Sequence, residues 1–318
     1  MKAVFLDYAT MGPDLDMSPV TDLVPDLEIF DITPDELTAE RIRDAEIVFT
    51  NKIRFDDETL GSAKSLRFIG LTATGTDNVD LRGAEKHDIA VCNIRGYCTQ
   101  SVAEHVFALL LNFTHNISRY ARSVRDGDWE RSADFCMLKF PMRELSGLTL
   151  GIVGYGDLGH GVEKIARDLN MSVLISRRPG TSGTDDDGRV DFHEMLGRAD
   201  VVTLHCPLND QTRNLFGEEA FRLMKPDAIL INTARGGLIN SAALAAALRN
   251  GEIGAAAVDV LPKEPPIDGD PLLAYDGSNL VITPHVAWGT TESRQSAINE
   301  LAANLAAFLK GEERNRVV

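Results

Sequence analysis

The chain has 318 residues, long for one core and comfortable for two domains. Its formal net charge of -16 argues against a nucleic-acid surface, which needs clustered Lys and Arg, and points instead to solubility. With 44% hydrophobic and 25% charged residues it has the composition of an ordinary globular protein.

Residues 1–98 alternate short apolar runs with polar helical stretches. Val4-Phe5-Leu6, Ile47-Val48-Phe49, Phe68-Ile69-Gly70-Leu71 and Ile89-Ala90-Val91 are candidate buried strands. Thr33-Pro34-Asp35-Glu36 and Phe55-Asp56-Asp57-Glu58 look like helix starts, with acids in the first turn. Strand, helix, strand repetition predicts a parallel sheet covered on both faces. In residues 99–116, Val102, Val106, Leu109, Leu110 and Phe113 fall at helical spacing, which predicts one long amphipathic helix. Residues 119–146 follow with weak periodicity and exposed-looking aromatics, Trp129, Phe135 and Phe140. A stretch of that length without clear structure suggests packing on another subunit.

From Leu148 a second series begins. Leu150–Val153, Val173–Ile175, Val201–Leu204, Ala228–Ile231, Ala256–Val258 and Leu280–Ile282 are six strand candidates, mostly separated by helical stretches such as Ser241–Arg249. That series describes a doubly wound domain. A last helix is expected from about Thr291 to Leu309. The acids are dispersed, apart from Asp185-Asp186-Asp187, which reads as a solvated loop tip. No apolar run reaches the roughly 18 residues of a membrane span. Cys92, Cys98, Cys136 and Cys206 form no C-x-x-C pair, and the N-terminus is no signal peptide, so free thiols in a reducing cytoplasm are expected. The seven histidines show no paired spacing, so no metal is expected.

Gly154-Tyr155-Gly156-Asp157-Leu158-Gly159 is a G-x-G-x-x-G that follows an apolar strand and opens a helix, the context a dinucleotide site requires. Gly154 allows the tight turn, Gly156 lets the backbone approach a pyrophosphate, and Gly159 lets helix pack on strand. The helix N-terminus then faces the anion with free N–H groups. At the end of the second strand stands Ser176-Arg177-Arg178-Pro179. An NAD-preferring site would place an acid there for the ribose hydroxyl. Two arginines favour a 2′-phosphate, and so NADP(H), with NAD(H) as the alternative.

Three segments fall at the carboxyl ends of the later strands: Asn232–Gly237, Asp259–Pro265 and Thr283–Trp288. Ligands of open α/β sheets bind outside those ends. Arg235 can hold a carboxylate bidentately and polarise the neighbouring carbonyl. His285 can give a proton to a developing alkoxide, or take it back. Glu264 against that histidine would favour the imidazolium. Taken singly, each could be an ordinary surface charge, cap or core residue.

Gly154–Gly159, His205-Cys206-Pro207-Leu208, Thr233–Gly237, Asp259–Pro265 and Pro284–Trp288 together resemble the D-isomer-specific 2-hydroxyacid dehydrogenases over nearly the whole chain. Asn51-Lys52, Ala73–Asp80 and Asp134-Phe135-Cys136 are most similar to the glycerate dehydrogenase (hydroxypyruvate reductase) branch. The resemblance implies a Rossmann cofactor domain, about 99–285, inserted in a flavodoxin-like substrate domain of 1–98 and 286–318. It also implies a homodimer with an arm at 119–146. Arg235 would bind the substrate carboxylate, His285 would be the acid/base, and Glu264 would support it. Backbone N–H groups near Thr74 and Gly75 would complete the carboxylate site, and Lys52 would touch a polar substrate tail. On the cofactor side it implicates Asp157 and Leu158 at the pyrophosphate. Cys206, Pro207 and Thr212 would lie along the adenosine half, and Thr233 and Asp259 near the nicotinamide. Thr74, Val102 and Ser176 complete the expected cofactor contacts. The sequence departs from the family at Arg177, where many members have Asp, and mildly at Asn170, where Gly is common. The implied reaction is reduction of hydroxypyruvate to D-glycerate, a D-2-hydroxy acid, or of glyoxylate to glycolate, and its reverse. Two other readings keep the fold. Formate dehydrogenase relatives pair the histidine with glutamine, which Glu264 opposes, and corepressor-like dinucleotide sensors carry out no chemistry.

Overall fold

A computed structural model describes residues 1–178 and 188–318; Pro179 and the Asp185–Asp187 run lie outside the described residues. The chain divides into two compact units. One comprises Met1–Cys98 with Gly289–Val318, and the other, Thr99–Trp288, is inserted in its sequence. The chain re-enters the first unit at Gly289 rather than at Val286.

In the first unit, β1 (Ala3–Phe5), β2 (Leu27–Ile29), β3 (Ile47–Thr50), β4 (Phe68–Leu71) and β5 (Ala90–Cys92) form one sheet. Its order is β2-β1-β3-β4-β5, the flavodoxin-like arrangement, and every pair is parallel. β1, β3, β4 and β5 are buried along their whole length, as strands covered on both faces must be. β2 was not foreseen. It is an edge strand, largely exposed, with Glu28 at its centre, so it carries no apolar run. Helices α1 (Ser18–Thr21), α2 (Asp35–Ile42), α3 (Asp57–Ser62) and α4 (Leu81–Lys86) connect the strands. Both expected helix starts are found at the third residue of their motifs, Asp35 and Asp57. Asp56 caps α3 by accepting from Thr59 N at 2.8 Å.

The inserted unit begins with α5 (Thr99–Thr114) and α6 (Ile117–Arg125). β6 (Thr149–Val153), α7 (Asp157–Asp168), β7 (Ser172–Ile175), α8 (Phe192–Arg198) and β8 (Val201–Leu204) follow. Next come α9 (Glu218–Leu223), β9 (Ile229–Asn232), α10 (Ser241–Asn250), β10 (Ala255–Val258) and β11 (Leu280–Ile282). The parallel sheet has the order β11-β10-β9-β8-β6-β7. Beyond β7 a parallel bridge joins Ser176 to Val190, where the dinucleotide fold places its third strand. Successive strand residues feed opposite faces. Val202, Leu230 and Ala256 enter one core, and Val201, Ile231 and Ala257 enter the other, beneath Val106 and Leu110 of α5. Asn170, just past α7, takes a left-handed φ of 56°. This is the conformation that lets Asn stand where glycine is usual.

The segment expected to lack clear structure is helical at its start, since α6 reaches Arg125. Phe140 is not fully exposed. Its ring packs edge-on against Tyr120 at 5.0 Å, with the Arg119 guanidinium 3.9 Å above it. The last helix, α11 (Thr291–Leu309), returns to the first unit over β4. Gly70 makes the close approach feasible, because a Cβ there would lie 2.6 Å from Leu301 Cδ1.

Candidate active site

Gly154 has φ +96°, and a Cβ on it would stand 2.4 Å from the backbone N of Cys206. The turn after β6 thus presses directly on the turn after β8, where the strand order of the sheet reverses. A Cβ on Gly159 would meet Gly154 O at 2.5 Å, whereas a Cβ on Gly156 would meet nothing within 4 Å among the described residues. So the turn is closed against the protein at Gly154 and Gly159 and open at Gly156, just before the free amides of α7. Asp157 and Leu158 are its first two residues. Thr233, at the end of β9, is 8% exposed, and its buried Oγ1 has no hydrogen-bond partner among the described residues. An open anion cradle and a buried hydroxyl awaiting a partner both fit a dinucleotide. When bound, its nicotinamide supplies or accepts the hydride.

At the end of β7, Ser176 is buried and its Oγ donates to Arg177 O at 2.8 Å, while Arg177 Nη2 donates to Arg189 O at 3.1 Å. Arg177, Arg178, Asn214 and Glu218 line a cavity of about 400 Å³. Burial pushes the Cys206 thiol up to about 11, so it stays protonated, and lowers His205 to about 4, so its imidazole is neutral. Thr212 Oγ1 donates to Pro207 O at 2.7 Å and closes the turn that follows. Val102 is buried on α5.

His285 Nδ1 lies 2.6 Å from Glu264 Oε2, and Glu264 Oε1 accepts from Leu261 N at 2.8 Å. An ionised carboxylate can only accept, so Nδ1 carries the hydrogen and Nε2 is left to hold or release the working proton. The carboxylate is fixed at both oxygens and balances the imidazolium formed when Nε2 is loaded. The same loop fixes the backbone of His285, whose N donates to Asp259 O at 2.7 Å and whose φ is 57°. That left-handed conformation is uncommon outside glycine and persists only where neighbours enforce it. Asp259 supplies the enforcement. Its side chain is fully buried and accepts from Thr283 Oγ1 at 2.5 Å and from the backbone N of Val286 and Ala287 at 2.9 Å each.

Arg235 stands one loop away. A Cβ on Gly236 would lie 2.0 Å from Leu261 C, so the Arg235 turn and the Leu261–Glu264 turn touch through bare backbone. Asn232, wholly buried at the end of β9, donates from Nδ2 to Arg235 O at 2.9 Å and accepts from Ala234 N at 3.0 Å. The chain order β9, β10, β11 thereby delivers Arg235, Glu264 and His285 from three neighbouring strand ends.

In the first unit, Lys52 follows β3, and Thr74 and Gly75 follow the adjacent β4. Asp7, after β1, is 5% exposed and accepts from the backbone N of Asn51 at 2.9 Å and of Lys52 at 2.7 Å. Burial pushes the Asp7 carboxyl up, and these amide donors pull it back. Thr74 Oγ1 donates to Ile94 O at 2.9 Å, and Thr74 O accepts from Asn93 Nδ2 at 2.7 Å.

A family profile described as the NAD-binding domain of D-isomer-specific 2-hydroxyacid dehydrogenases matches residues 107–287. The chain belongs to this family. It is 44% identical over 285 residues to a glycerate dehydrogenase of Methylorubrum extorquens, covering 90% of this chain and 89% of that one. It is 36% identical to a hydroxypyruvate reductase of Blautia hydrogenotrophica, covering 100% and 99%. Among solved structures, an acyclic imino acid reductase in complex with NADPH and D-arginine superposes with a TM-score of 0.86 at 28% identity, covering 100% of both chains. As a 2-hydroxyacid dehydrogenase the protein is an oxidoreductase that interconverts small 2-keto and 2-hydroxy acids with a nicotinamide dinucleotide. No helix among the described residues is long and apolar enough to cross a membrane, and no group of three or more metal-ligating side chains occurs among them.

Three side chains to which the sequence assigns no individual role, Asp7, Asn232 and Thr283, each hold a loop through hydrogen bonds. Asn232 and Thr283 fall within the segments that carry Arg235 and His285, whereas Asp7 stands in no pattern that spacing singles out.

Proposed function

We propose that this dehydrogenase reduces hydroxypyruvate to D-glycerate and glyoxylate to glycolate with NADPH, and runs the reverse reaction. The observation that carries the chemistry is the 2.6 Å pair of His285 Nδ1 and Glu264. The hydride goes to C2 of the keto acid while the Nε2 proton of His285 goes to its oxygen, leaving a neutral imidazole. Arg235 takes the substrate carboxylate bidentately and polarises the carbonyl. Backbone N–H groups at Thr74 and Gly75 share that carboxylate, and Lys52 meets the polar tail of the substrate. Relatives named glycerate dehydrogenase, hydroxypyruvate reductase and glyoxylate reductase support this substrate class. A glutamate rather than a glutamine beside the histidine separates it from formate oxidation, which needs no proton acceptor.

For the cofactor, Arg177 and Arg178 at the end of β7 favour a 2′-phosphate, and a TM-score neighbour was solved with NADPH. The protein acts as a homodimer in this reading, with residues 119–146 on the partner. Apolar side chains exposed there, Phe135 at 91% and Leu138 at 77%, support it. The test is a steady-state panel crossing hydroxypyruvate, glyoxylate, pyruvate and D-glycerate with NADH and NADPH. Hydroxypyruvate or glyoxylate with NADPH should give the highest kcat/KM. A panel led by pyruvate would reassign the substrate, and no turnover with any 2-keto acid would remove the function.

A further inference from the structure

Behind the loop that presents His285 lies a side chain to which the chemistry above gives no task. His105, on α5, places Nε2 3.2 Å from Thr283 Oγ1 and 3.8 Å from Asp259 Oδ1. The hydroxyl of Thr283 donates its only hydrogen to Asp259 Oδ1, at 2.5 Å. Toward His105 that oxygen can therefore only accept, so Nε2 of His105 carries a hydrogen. The result is a one-way chain, from His105 Nε2–H to Thr283 Oγ–H to the Asp259 carboxylate. Asp259 in turn accepts from the backbone N of Val286 and Ala287, on the far side of His285. One helical turn before His105, Ser101 Oγ donates to Ala287 O at 2.7 Å and is buried. Helix α5 thus grips the His285 loop at both ends, through side chains spaced i and i+4 on one face. His285 sits between these grips at φ 57°, a conformation its neighbours must maintain.

We infer that His105 is a positioning residue for proton transfer: its Nε2–H fixes the Thr283 hydroxyl, and through Asp259 the loop that sets His285 in place. This rests on His285 being the acid/base. Removing the donor frees the Thr283 hydroxyl to rotate and loosens one of three grips on the Asp259 carboxylate. Misplacement of a reacting group by an ångström can cost on the order of 10²-fold in rate, and partial loosening costs less.

The test uses the intact enzyme with hydroxypyruvate and NADPH and compares His105→Leu, His105→Gln, Thr283→Val, the double variant His105→Leu/Thr283→Val, and His285→Ala as the control. Glutamine carries an N–H near the position of Nε2. His105→Leu should lower kcat roughly tenfold while the KM for hydroxypyruvate changes less than about threefold. His105→Gln should recover most of the loss. Thr283→Val should lower kcat by a similar factor, and the double variant should fall no further, because both changes break one chain. Unchanged kcat in His105→Leu, with His285→Ala inactive, overturns the inference and leaves the active site standing. The same holds if KM and kcat fall together or glutamine gives no rescue, since packing alone then explains His105. Should His105→Leu not fold, Thr283→Val and His105→Gln decide the matter: normal kcat in Thr283→Val, or a deep loss in His105→Gln, overturns it. Full activity in His285→Ala removes the acid/base assignment itself, and the inference with it.

Discussion

In the proposed reaction, Glu264 is the residue on which the chemistry turns. Its two oxygens are committed to different tasks, one to the Leu261 amide and one to the His285 ring, so each has a protein partner that orients it. A carboxylate held this way selects the histidine tautomer and balances the charge that appears when the ring takes up a proton. In the proposed preference for NADPH, Arg177 has the corresponding weight. Its side chain reaches Arg189 O at the bridge beyond β7, beside the cavity that Arg178 also lines. Arg177→Asp exchanges a partner for phosphate for a partner for hydroxyl. The ratio of kcat/KM for NADPH to that for NADH should fall by about tenfold or more, the scale of one charge-assisted hydrogen bond. An unchanged ratio would refute the role assigned to this loop. The positions of both residues were legible in the sequence, because a conspicuous charge in the segment after a strand is visible without coordinates. Asp7 and Asn232 were not, since a buried polar residue that braces a turn looks the same in sequence as one that caps a helix.

At the scale of elements, the strands and long helices followed from apolar periodicity, and α11 matches its expected bounds from Thr291 to Leu309. The exceptions have physical reasons. β2 is short, exposed and interrupted by Glu28, and α6 is a short, mostly polar helix whose few apolar residues, Ile117, Tyr120, Ala121 and Val124, do fall at helical spacing among arginines and serines. What no periodicity reveals is how loops meet. The contact of the Arg235 turn with the Leu261–Glu264 turn depends on Gly236 having no side chain. Gly236→Ala would drive a methyl group into the backbone of Leu261 and Pro262. It should destabilise the protein by roughly 1–3 kcal/mol and lower kcat more than cofactor affinity, read by thermal unfolding and steady-state kinetics. A variant as stable and active as the parent would show that the two turns can separate freely.

For the molecule as a whole, the sequence is a sheet interrupted by a second sheet. The first unit opens and closes the chain, and the inserted unit carries the phosphate turn together with Arg235, Glu264 and His285. The inserted unit also carries the apolar side chains exposed between Ile117 and Met142, for which a second copy of the chain is the proposed cover. Sedimentation should return twice the mass of one chain, and the double variant Phe135→Asp/Leu138→Asp should return one. A native chain that sediments as a monomer at micromolar concentration would remove the dimer.

His285, oriented by Glu264, is proposed to move the proton that accompanies hydride transfer. The most direct measurement is NADPH oxidation with hydroxypyruvate by His285→Ala beside the parent enzyme, with NADPH affinity measured on both. The parent should turn over, and the variant should lose about 10²- to 10⁴-fold in kcat with NADPH affinity within about threefold. A variant that keeps its kcat and loses only cofactor affinity would contradict the claim and make His285 a binding residue.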